Sequence, residues 1–142
     1  MTRRVLVAFD DSPQAAAALR YALDEYPDAA VTVLHALDPT AVGFRGRAGL
    51  LLTRDDWRRL ARQEADDVFA AARAVADEFG TDLRTALRVE KPARAVVEYA
   101  DEQSVDHVVI GTHGDGGVTR VLLGSVAESV VRESPVPVTV VG

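Results

Sequence analysis

The apolar positions of this chain follow two periods. Residues 5–9 (Val-Leu-Val-Ala-Phe), 31–37 and 106–110 contain nearly unbroken apolar runs, the pattern of parallel strands covered by helices on both faces. Leu83, Thr85, Leu87 and Val89 instead alternate with Arg84, Ala86, Arg88 and Glu90, which predicts a half-exposed strand at a sheet edge. A last run, 135–141, carries Pro135 and Pro137 early, as an edge strand or strand start allows.

Helical spacing fills the intervals. Ser12 and Pro13 read as N-cap and first helical residue, and an alanine-rich helix runs to about Tyr26, stopped before Pro27. Thr53 and Asp56 resemble a capping box with Asp in place of Glu or Gln. The long helix behind them places Trp57, Leu60, Ala61, Ala65, Val68, Ala72, Val75 and Phe79 on one face and stops at Gly80. Pro92 opens a third helix carrying Val96, Val97, Tyr99 and Ala100. Residues 121 to about 133 form a fourth, with its clear pattern beginning at Ser125. Five strands alternating with four helices predict one doubly wound α/β domain over residues 1–142, with a mainly parallel sheet and helices on both faces. Residues 40–52, with Gly43, Gly46 and Gly49, have no period and read as a plain connector or a lid.

Residues 111–126, GTHGDGGVTRVLLGSV, join the fourth strand to the last helix and contain five glycines. Strand-to-helix loops of about a dozen residues are usually functional or disordered. Glycines let backbone N–H groups approach an anion, and a helix start adds unpaired donors and partial positive charge. Phosphate binding and a flexible surface loop both fit this composition.

The spacing Gly111, two residues, Gly114, nine residues, Gly124, Ser125 resembles the ATP-binding signature of the universal stress protein family. The likeness extends over the whole chain through the element order, the strand-end Asp10 and the closing valine-rich strand. It implies a strand order of 3-2-1-4-5, whose reversal between strands 1 and 4 brings Asp10 and Gly111 together, and ligands bind at such reversals. It further implies that Asp10 accepts hydrogen bonds from the ribose hydroxyls, that Ala8 and Phe9 line the pocket beside the base, and that the Ala36 backbone reads the adenine edge. Ile110 would pack near sugar and base. Gly111, Gly114 and Gly124 would let the loop wrap the phosphates, with the Ser125 hydroxyl and the Ser125 and Val126 amides at the helix start.

Asp115 departs from the resemblance, because a basic residue commonly follows the second glycine. Arg120 in the same loop, or Mg²⁺, would offset its charge. His113 is a further candidate phosphate donor, whereas His35 and His107 read as structural; the three histidines have no metal-ligand spacing. The ligand implied is ATP, with ADP and AMP as alternatives. The resemblance also implies a homodimer through the last strand, where Val136, Val138 and Val140 offer an apolar edge.

Composition narrows the field. With 16 basic and 22 acidic residues the net charge is −6, which argues against non-specific nucleic-acid binding. No run reaches the ~18 apolar residues of a membrane span, the N-terminal apolar run is too short for a signal peptide, and there is no cysteine; the expectation is a cytoplasmic protein. A receiver domain would need an aspartate ending strand 3 and a lysine ending strand 5, and the chain offers Val89-Glu90 and no lysine there. GxxxxGK[ST] is absent, and no GxGxxG follows strand 1. The resemblance implies a nucleotide-dependent switch or sensor in a stress response as the leading function. A slow ATP hydrolase and a dimeric scaffold with a degenerate site are the alternatives.

Overall fold

The apolar runs become strands that all pair in parallel. The computed structural model describes residues 2–39, 53–112 and 123–142. The strands are β1 (Arg4–Ala8), β2 (Ala30–Leu37), β3 (Arg84–Val89), β4 (His107–Gly111) and β5 (Val138–Val141). The helices are α1 (Pro13–Glu25), α2 (Arg54–Glu78), α3 (Pro92–Glu102) and α4 (Ser125–Glu133). The sheet order is β3-β2-β1-β4-β5, as expected, and every pairing is parallel, so the sheet is wholly rather than mainly so.

Local chemistry sets the helix starts. Ser12 accepts a hydrogen bond from the Ala15 N–H at 3.1 Å, and Pro13 takes the first turn, where its missing N–H costs nothing. Thr53 and Asp56 form the capping box in full: Thr53 Oγ1 accepts from the Asp56 N–H at 3.0 Å, and the Thr53 N–H donates to the Asp56 carboxylate at 3.4 Å. The last helix begins at Ser125, later than residue 121, with Gly124 as its N-cap. The last strand begins at Val138, although Pro137 already accepts from the Val108 N–H at 3.0 Å.

The sheet separates two cores. On one face Val5, Val7, Val31 and Val33 pack against α1 and α2; on the other Leu6, Leu34, Val108 and Ile110 pack against α3 and α4. The successive residues of each central strand thus go to opposite faces, and both faces are apolar. At the β3 edge Arg88 stacks over the Tyr99 ring of α3 at 5.2 Å and reaches Glu102 at 3.2 Å.

The α2 stripe differs from the expected one. Ala65, Val68, Phe69, Ala72, Val75 and Ala76 are buried, whereas Leu60 is 47% and Phe79 39% exposed. The helix has 25 residues, or ~37 Å, against ~17 Å for a strand of five or so residues. Its buried positions all lie between Ala65 and Ala76; the N-terminal half, which carries Leu60, extends past the covered region, and Phe79 follows the helix as its C-cap. In the covered part the buried stripe is wide enough to include Phe69 beside Val68 and Ala76 beside Val75.

Candidate functional site

All four β-to-α junctions of a parallel sheet lie at one end, and the order of this sheet reverses there between β1 and β4. A cleft open to solvent sits at that reversal. Ala8, Phe9, Asp10, Ala36, Ile110, Gly111 and Val126 line it. Gly124 and Ser125 adjoin it as the N-cap and first residue of α4. Gly114 and Arg120 lie outside the described residues, as do His113, Asp115 and the candidate lid at 40–52.

Asp10 follows the end of β1. Its Oδ1 accepts from the Ser12 N–H at 3.0 Å, which orients the carboxyl group where Asp10 lines the cleft. Asp11 turns the chain into α1 with φ of 63°, a left-handed conformation that Asp tolerates better than most residues. Phe9, 3% exposed, is rooted in the α1–α2 core, while Ala8 and Ala36 pack with the core on the opposite face.

Gly111 has a structural reason to be glycine. A Cβ placed there would lie 2.7 Å from the Gln14 carbonyl carbon and closer still to its oxygen. The end of β4 therefore meets the backbone of the first turn of α1 directly. Those two elements form adjoining parts of the cleft wall.

The β1–β2 ladder opens at the cleft. Its register ends at Ala8 opposite Leu34, with one further bond from the Phe9 N–H to the Leu34 carbonyl at 2.9 Å. In a parallel ladder the N–H and C=O of one residue point to the same neighbour, and successive residues alternate. Leu34 faces β1, so Ala36 does too; the intervening phase faces β3, where the Leu37 carbonyl accepts from the Glu90 N–H at 2.9 Å. Continuing the ladder would join the Ala36 N–H to the Phe9 carbonyl. That carbonyl is instead bonded to His35 Nδ1 at 3.0 Å. Among the described residues neither backbone group of Ala36 has a ladder partner in β1, and Ala36 lines the cleft on that side.

At the opposite wall α4 begins without a side-chain cap. Gly124 has φ of −62° and ψ of 161°, open to any residue, so the effect of glycine there is to offer no side chain to the first-turn amides. Those donors, with the helix dipole, favour an anion.

The sequence reading did not identify Ser12, Gln14, Ala15, Leu34, His35, Pro92 or Val96 as cleft residues. Pro92 was legible in principle: it opens the helix after β3, and every such junction lies at the carboxyl end of the sheet. His35 carried no such signal, because a strand histidine in an apolar run reads only as buried. Among the described residues no helix is long and apolar enough to cross a membrane, and no three His, Asp or Glu side chains cluster as metal ligands.

A parallel sheet with this reversal, and a cleft at it walled by a carboxylate, an apolar slot and an uncapped helix start, defines a doubly wound α/β ligand-binding fold. The chain belongs to the universal stress protein family, whose model matches residues 1–142. It is 37% identical to the universal stress protein MJ0531 of Methanocaldococcus jannaschii over 82 residues, 58% of this chain and 48% of that protein. The matched stretch thus spans about half the length of that relative, and it spans similar shares of others. Among solved structures, the universal stress protein UspA of Lactobacillus plantarum superposes with a TM-score of 0.75 at 26% identity, covering 99% of this chain and 97% of that one. A universal stress protein in complex with cAMP superposes with a TM-score of 0.63 at 26% identity, covering 99% and 97%.

Proposed function

We propose that the cleft binds an adenine nucleotide, ATP foremost with ADP and AMP as alternatives, and that the bound state is read by a partner in a stress response. The observation that carries this reading is the meeting of three different surfaces at one sheet reversal: the Asp10 carboxylate, the slot beside Ala36, and the uncapped start of α4. The Ala36 carbonyl suits the adenine amino group and its N–H suits N1, between the apolar surfaces of Ala8, Pro92, Val96 and Ile110. Asp10 then faces the ribose hydroxyls. The amides of Ser125 and Val126 face the phosphates, aided by Gly114 and Arg120 of the preceding loop, with Mg²⁺ offsetting Asp115. The solved relative holding cAMP supports the ligand class. Pairing of two copies along β5, an edge strand, and action in the cytoplasm complete the proposal.

Calorimetric titration with AMP, ADP and ATP, each with and without Mg²⁺, tests it. A saturable heat is expected for the wild type. Asp10→Ala should bind about ten- to a hundredfold more weakly, since hydrogen bonds to a charged group contribute ~1.5–3 kcal/mol. No saturable heat from the wild type below millimolar nucleotide would refute the reading. Sedimentation of the wild type as a monomer at micromolar concentration would refute the pairing. A slow hydrolase is the second reading, but Asp10 is the one carboxylate among the described residues lining the cleft. Phosphate release in Mg²⁺ that Gly114→Val abolishes would favour it.

A further inference from the structure

His35 is 6% exposed, sits in the apolar run of β2, and lines the cleft. Its ring meets Phe69 of α2 edge-on at 6.4 Å. Nδ1 is 3.0 Å from the Phe9 carbonyl and Nε2 is 3.4 Å from a Glu64 carboxylate oxygen on α2. Both partners only accept, so the hydrogen on Nδ1 is assigned by the shorter bond, and a ring protonated on both nitrogens donates to both.

The position of that carbonyl is what matters. It is the group that the next rung of the β1–β2 ladder would join to the Ala36 N–H. Side chains stand perpendicular to a sheet whereas ladder bonds lie in its plane, so an acceptor bonded to the His35 ring is turned toward the α1–α2 face. The same turn carries the chain away from β2 into Asp10 and the left-handed Asp11. We propose that His35 is a positioning residue for base selectivity: by holding the Phe9 carbonyl off the ladder it leaves the Ala36 N–H and C=O to read the ligand's base.

This rests on the nucleotide reading above, and it makes a narrower claim. The Ala36 pair offers a donor for N1 and an acceptor for the 6-amino group of adenine. Hypoxanthine presents the reverse, an N1–H and a 6-oxo group, and a buried mismatch of that kind is strongly rejected. If the ladder closed, the Ala36 N–H would be occupied and the discrimination would fall while the ribose and phosphate contacts remained.

The test uses the full chain with His35→Asn, His35→Gln and His35→Phe, titrated with AMP and inosine monophosphate. The Asn amide nitrogen can occupy the place of Nδ1, whereas that of Gln reaches the place of Nε2. His35→Asn is expected to keep AMP affinity and the preference for AMP over inosine monophosphate within about threefold. His35→Gln and His35→Phe should lose about tenfold or more in AMP affinity, with the preference falling toward unity. Equal preference in the Asn and Gln variants, or an equal loss for both nucleotides, would overturn the proposal. Amide exchange in the nucleotide-free protein gives a readout independent of binding. The Ala36 N–H should exchange quickly in the wild type and in His35→Asn, and become protected in His35→Gln. If the wild type bound neither nucleotide, the functional reading would fall, and equal Ala36 protection in wild type and His35→Gln would sink this one separately.

Discussion

Gly111→Ala adds one carbon where β4 ends, and the structure locates what it strikes. The new Cβ would be 2.7 Å from the carbonyl carbon of Gln14, whereas carbon atoms rest at ~3.5–4.0 Å. The obstacle is backbone in the first turn of α1, so no rotamer change relieves it; strand and helix must separate by about 1 Å. Gly111 is also paired with Val141 in β5, which restrains the strand from the other side. Overpacking of this kind costs ~1–3 kcal/mol. At about 2 kcal/mol, and roughly 4 °C per kcal/mol for a chain of this size, the expected fall in Tm is about 8 °C.

Gly80 supplies the control. Its φ is +62° and a Cβ there meets nothing within 4 Å, so its reason for being glycine is conformational. Asn accepts a left-handed backbone better than Ala, so Gly80→Asn should recover part of the loss caused by Gly80→Ala. At position 111 Asn should be no better than Ala, because the clash is steric. Urea unfolding monitored by circular dichroism measures all four variants, with the midpoint shifting at constant m. A cost for Gly111→Ala below about 0.5 kcal/mol, the range of ordinary surface substitutions, would refute the close-approach argument.

The other predictions come from single features. Phe69→Ala should cost about 3–5 kcal/mol as a large-to-small core change, and Leu60→Ala, at a position 47% exposed, well under half of that, by the same unfolding curves. Thr53→Ala removes the α2 cap and should cost about 1 kcal/mol, whereas Thr53→Ser should retain most of the stability. Burial, and then the charge of Arg3, holds the His107 imidazole below its ordinary pKa. The unfolded chain then binds more protons than the folded one just below pH 6.5, so stability should fall as pH drops through that region. His107→Gln should flatten that part of the stability profile; an unchanged slope would remove His107 as its cause.

Much of this molecule is written in local pattern. The strand positions follow from apolar runs, and the first turns of α1 and α2 follow from Ser12-Pro13 and Thr53-Asp56, because a cap bonds within three residues of itself. That Asp10 and Gly111 line the cleft was legible once β1 and β4 were placed, since an α/β sheet opens its crevice at strand ends. The strand order was not in the pattern; it came from resemblance to a family. Three further facts depended on elements far apart in sequence. Gly111 must be glycine because α1 lies against β4. Leu60 is exposed because the N-terminal half of α2 extends past the region that the sheet and α1 cover, and Phe79 because it follows the helix as its C-cap. His35 meets the Phe9 carbonyl, 26 residues away in sequence, because β1 and β2 lie side by side in the sheet. Hydrophobic periodicity records which face of an element is buried. What that face meets depends on how the elements stack, and in this sheet that decided how the cleft is built.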